Sequence, residues 1–123
     1  MVISRNSRFL ANWDSQARKG VLVLMVMSAL SAREYYGYEL VEHILASTGV
    51  EVSDGTLYAI LVRLKAEGLV RTRWEAAERG PARKYYALTG DGRALLADMK
   101  RSWTEIAHGV EAILKDGSGD DVQ

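Results

Sequence analysis

Five cations, Arg71, Arg73, Arg79, Arg83 and Lys84, fall within fourteen residues of this chain. Side chains of this kind at this density suit one task above others, the neutralisation of phosphate, with salt-sensitive affinity and little sequence information. Just upstream stands Ser53-Asp54-Gly55-Thr56. The hydroxyls of Ser53 and Thr56 can donate to phosphate oxygens. Gly55 has no side chain to keep a phosphate from the free N–H groups of a helix start. Asp54 suits capping better than anion contact. Tyr58 and Arg63 follow off the apolar positions of the same segment, and Arg63 can reach a guanine edge or a phosphate. A surface salt bridge is the plain alternative for Arg63, and a solvated hairpin edge, charged against aggregation, is the alternative for Arg83 and Lys84.

Positioning these groups requires a helix followed at once by a hairpin. Ser53 is a good N-cap. Leu57, Ile60, Leu61 and Leu64 recur at helical spacing, and Gly68 supplies the left-handed residue that ends the helix. Val70, Thr72 and Trp74 then alternate with Arg71 and Arg73, which is the period of a strand. A second strand is expected around Arg83 to Leu88, beyond a turn at Gly80-Pro81. Upstream, residues 17–31 and 36–47 read as two helices, the second ended by Thr48-Gly49. The fold class is therefore mainly α with a small β-hairpin: a winged helix-turn-helix over 17–89, plus a long C-terminal helix over 90–115. Residues 1–16 form an N-terminal extension, a short helix or an arm, and 116–123 a disordered tail. In such a fold the helix from Ser53 enters a major groove while the hairpin follows the backbone, which makes double-stranded DNA the first partner to consider.

In the last helix Leu96, Met99, Trp103, Ile106, Val110 and Ile113 are spaced 3, 4, 3, 4, 3. That is a heptad seam, by which a helix packs on another helix, and it points to a homodimer. The alternative is that the seam folds back on its own domain. Trp103 is bulky enough to hold two helices apart, leaving room for a planar aromatic effector to stack; otherwise it simply fills the interface.

Bulk composition limits the other classes. A length of 123 residues makes one domain. Without cysteine there is no disulfide, thiolate metal site or cysteine nucleophile. His43 and His108 stand alone, so no metal site is expected, and no cofactor-binding or catalytic constellation stands out; the chain does not read as an enzyme. The apolar run from Val21 to Met27 is too short for a bilayer and lacks a signal-peptide cleavage site, so no membrane partner is expected and the location reads as cytoplasmic. Net charge is zero, unusual for a nucleic-acid binder. The charge is nevertheless segregated: residues 1–20 and 53–93 are net positive, while 21–52 and 94–123 are each net negative.

The motifs resemble those of the PadR family of transcriptional regulators. The likeness runs through Y-G-Y-E-L at 36–40, G-T-L-Y at 55–58, R-L at 63–64, E-G-L-V at 67–70 and G-P-x-R-K-Y-Y-x-L-T at 80–89, with a further Gly at 92. A single C-terminal helix is similar to the compact subfamily. The resemblance implies a homodimeric winged-helix protein that binds an inverted-repeat operator and usually represses. It also implies DNA contacts from Tyr36, Ser53, Thr56, Tyr58, Arg63, Arg83 and Lys84. In some compact members an aromatic ligand is sandwiched by paired tryptophans of the last helix, where Trp103 stands. Two features depart from the pattern: Ala59 replaces a frequent Pro, and the N-terminal extension with Phe9 and Trp13 is longer. The rival reading is a winged-helix module that binds a protein partner, supported by the neutral net charge; a carrier of planar drugs is a third.

Overall fold

In a computed structural model, residues 5–121 are described, with side-chain burial for 5–117. The elements in chain order are α1 (Arg5–Ala32), β1 (Tyr35–Tyr36), α2 (Gly37–Thr48), α3 (Asp54–Ala66), β2 (Val70–Glu75), β3 (Arg83–Leu88) and α4 (Gly90–Asp121). The sheet has the order β1-β3-β2, antiparallel throughout. The fold is thus mostly helical with a small sheet, as the sequence predicts. β1 is the addition: two residues carry no readable strand period, and only their pairing with Tyr85 and Tyr86 defines them.

The core explains the order. Leu22, Val26, Met27 and Leu30 of α1 are buried among Leu40 and Ile44 of α2, Leu57, Leu61 and Leu64 of α3, Tyr86 and Leu88 of β3, and Leu96 of α4. The apolar run of α1 is therefore a core helix. Gly49 (φ 74°) ends α2, donating its N–H to the Leu45 carbonyl at 2.8 Å. Gly68 (φ 76°) turns the chain from α3 into β2, a conformation that side chains rarely adopt.

Two helices outrun the expected boundaries. α1 is continuous from Arg5, where the sequence places an extension up to residue 16; residues 1–4 lie outside the described residues. A helix already nucleated by its buried half extends without the cost of a new nucleus, and an i,i+4 pair, Asp14–Arg18 at 3.1 Å, supports the polar half. α4 likewise continues past Lys115 to Asp121, so 116–121 are helical rather than a disordered tail; residues 122 and 123 lie outside the described residues.

α4 is fastened at its start. The Thr89 hydroxyl donates to the Gly68 carbonyl at 2.7 Å and accepts the Gly92 N–H at 3.0 Å, while the Thr89 N–H donates to the Leu69 carbonyl at 3.1 Å. One residue thus caps α4 and ties it to the turn that ends α3.

Candidate nucleic-acid interface

The surface around α3 is set by which side of the helix each residue occupies. At about 100° per residue, Leu57, Leu61 and Leu64 share the inner side and are buried. Tyr58 then falls on the flank toward the hairpin, and Thr56 and Arg63 on the opposite flank. Ser53 caps the helix: its Oγ accepts the Thr56 N–H at 3.1 Å and donates to Thr56 Oγ1 at 2.9 Å, which leaves the Thr56 hydroxyl proton for an external acceptor.

Strand alternation sets the hairpin in the same way. Val70, Thr72 and Trp74 face with Leu88, Tyr86 and Lys84; Arg71, Arg73 and Glu75 face with Ala87, Tyr85 and Arg83. Arg83 and Lys84 therefore leave the wing on opposite faces. The Arg83 guanidinium lies 4.7 Å over the Tyr36 ring, and Lys84 Nζ lies 5.7 and 5.8 Å from the Trp74 and Tyr86 rings. Aromatic faces steady these cations without neutralising them, so their charge stays available to phosphate.

Four of the seven residues expected at DNA come together. Tyr36, Tyr58, Arg83 and Lys84 line one open cleft of about 340 Å³ with Tyr38, Asp54 and Tyr86. Ser53 and Thr56 line a second groove, with Arg18 and Lys19 of α1. Arg63 joins neither: it sits 3.7 Å from Glu67, an exposed i,i+4 pair, on the rim of an apolar recess with Met27 and Met99. It makes the surface ion pair that is its alternative reading.

Arg73 is also committed within the fold. Its Nε lies 3.0 Å from both oxygens of Glu34, its Nη2 2.9 Å from one of them, and the guanidinium lies 4.7 Å over Tyr85. This bidentate pair ties β2 to the α1–β1 connection. The hydrogen bond from Arg73 holds the Glu34 carboxyl below the usual carboxylate value, with the charges of Arg73 and Arg71 adding to it against desolvation. The stabilisation is therefore present above the ordinary carboxylate value and is lost as pH falls through the lowered one. Thermal melts across pH should show the wild-type chain above Glu34→Gln at neutrality, with the gap closing in acid.

Sequence reasoning missed Tyr38 and Trp74 as neighbours of the site. A hydrogen bond to Glu42 raises the Tyr38 phenol above its ordinary value, and burial does the same for Tyr86. The strand period alone could have found Trp74, which it places opposite Lys84.

The seam of α4 divides in two. Leu96 is buried in its own domain, 3% exposed, and Met99 packs against the same core. Beyond them Trp103 (45%), Ile106, Val110 and Ile113 (74%) lie exposed along the free part of the helix. Phe9, Leu10 and Trp13 of α1 are exposed too. Among the described residues no His, Cys, Asp and Glu group could hold a metal ion, and no helix is long and apolar enough to cross a membrane.

Comparison with known proteins gives a consistent result. The model of the transcriptional regulator PadR-like family matches residues 26–98. A transcriptional regulator of Mycobacterium tuberculosis, Rv3488, is 33% identical over 93 residues, covering 76% of this chain and 85% of that protein. The crystal structure of a PadR family transcriptional regulator from Eggerthella lenta superposes with a TM-score of 0.81 at 31% identity, over 89% of this chain and 95% of the other. That of a PadR-like transcriptional regulator from Bacillus cereus gives 0.73 at 35% identity, over 80% and 96%.

Proposed function

This chain belongs to the PadR-like family of transcriptional regulators, and on that premise we propose that it is a homodimeric repressor reading an inverted-repeat operator in double-stranded DNA. One observation carries this reading beyond the family: the cleft that joins the first half of α3 to Tyr36 and to two wing cations held against aromatic rings. Residues 17–89 form the DNA-binding unit in this reading, with α3 in the major groove and the wing on the adjoining backbone. Ser53 and Thr56 take a phosphate at the helix start, and Tyr36, Tyr58, Arg83 and Lys84 work along the cleft.

The exposed strip Trp103, Ile106, Val110 and Ile113 supports pairing with a second copy, since helix faces of this kind are normally covered. Pairing through α4 spaces two α3 helices for successive major grooves, about 34 Å apart. Trp103 stands where the strip begins, and a planar aromatic effector held there would release DNA by favouring a different spacing. The repressor sense follows the family resemblance, and the chain acts in the cytoplasm.

The test is selection of duplexes from a randomised library, followed by titration of the winner and a scrambled duplex at two salt concentrations. Binding should favour the selected duplex by on the order of a thousandfold at physiological salt, with palindromic half-sites one helical turn apart. Failure to enrich any sequence would overturn the reading and favour a protein partner instead.

A further inference from the structure

Trp74 is 66% exposed, although tryptophan is a residue that usually finds cover. It is the outermost member of the sheet face that begins with buried Val70 and continues through Thr72. Its cross-strand partner is Lys84, whose Nζ lies within 6 Å of both the Trp74 and Tyr86 rings. Because Lys84 and Tyr86 also line the α3 cleft, the indole prolongs that cleft outward along the wing. The cation on its own face is Lys84, half-buried beside the ring, while Arg71 and Arg83 lie on the opposite face of the hairpin. An exposed apolar ring beside a cation suits a deoxyribose edge next to a phosphate, rather than a protein core cut open.

We propose that Trp74 is a DNA-contacting residue whose indole enters the minor groove beside the major groove that takes α3, while Lys84 holds the flanking phosphate. The inference rests on the DNA reading above and adds to it a contact made through apolar surface. Geometry favours this groove: it is about 6 Å wide, enough for a flat ring edge-on and too narrow for a helix. Apolar side chains in the minor groove gain affinity from shape and local deformability of the duplex rather than from charge.

The two neighbours should therefore separate in a salt titration. On the duplex selected by the wild-type chain, Trp74→Ala should weaken binding about tenfold, within the range for aromatic contacts to nucleic acid, and leave the slope of log affinity against log salt unchanged, because an uncharged ring releases no counterion. Lys84→Ala should lower that slope by about one per protomer. Trp74→Phe should recover most of the loss. Adding duplex to the wild-type chain should shield part of its indole fluorescence from acrylamide, and that part should be missing in Trp74→Ala. Binding by Trp74→Ala within twofold of wild type, or shielding that persists without Trp74, overturns this inference and leaves the DNA reading standing. A wild-type chain that enriches no duplex overturns both.

Discussion

Replacing Gly92 with alanine is expected to destabilise the chain by about 3 kcal/mol, the upper end for overpacking a tight site, and to lower the melting temperature by roughly 10 °C. A Cβ at this position would lie 2.2 Å from the Leu69 carbonyl oxygen and 3.2 Å from Leu88 Cδ2. The first is backbone, so no side chain can swing away. It is also the carbonyl that accepts the Thr89 N–H, so moving it disturbs the joint between α3, β2 and α4. Gly20 provides the contrast: nothing lies within 4 Å of a Cβ there. It stands exposed inside α1, and Gly20→Ala should gain about 0.5–1 kcal/mol from helix propensity alone. Circular-dichroism melts of the two variants check both. Equal melting temperatures for Gly92→Ala and wild type would mean the joint is looser than the packing indicates.

The second large effect concerns the wing. Arg83→Ala with Lys84→Ala should reduce affinity for a selected duplex on the order of a hundredfold at moderate salt and leave the fold intact, since among the described residues both side chains are held by cation–π contacts rather than by an ion pair. Each phosphate contact contributes roughly 0.9 to the slope of log affinity against log salt, so the double variant should flatten it by about 2 per protomer. Arg73→Ala predicts the opposite profile. Its guanidinium is held by Glu34, so stability should suffer while the salt slope hardly changes. A chain that binds a protein through another face would be indifferent to the wing pair, and fluorescence anisotropy over a salt series distinguishes these outcomes.

The parts of the fold that were legible are those written in short-range chemistry. Ser53 as a cap, Gly49 and Gly68 as helix ends, and the alternation from Val70 to Trp74 locate α2, α3 and the hairpin, because each depends on a few adjacent residues. β1 was hidden, since two tyrosines become a strand only through partners fifty residues away. The first half of α1 was hidden for a related reason: its polar residues have no helical stripe and follow the buried half in register. At the candidate site, residue types were readable but their allegiances were not. Arg73 and Arg83 look alike in sequence, and only the structure gives Glu34 to the first. Leu96 and Ile113 share one seam, yet the core closes over Leu96 and ends before Ile113.

The unequal division of α4 has a mechanical consequence. Only its first part, through Met99, rests on the domain, and the remainder to Asp121 overhangs by about 33 Å at 1.5 Å per residue. The overhang is thus roughly twice the length of the seated part, and the helix acts as a lever with its fulcrum at the Thr89–Gly92 joint. A tilt of five degrees or so there carries the far end through about 4 Å, by the same rise per residue. Conversely, a push near Ile113 is borne at that joint, which holds the Gly68–Leu69 turn where α3 ends.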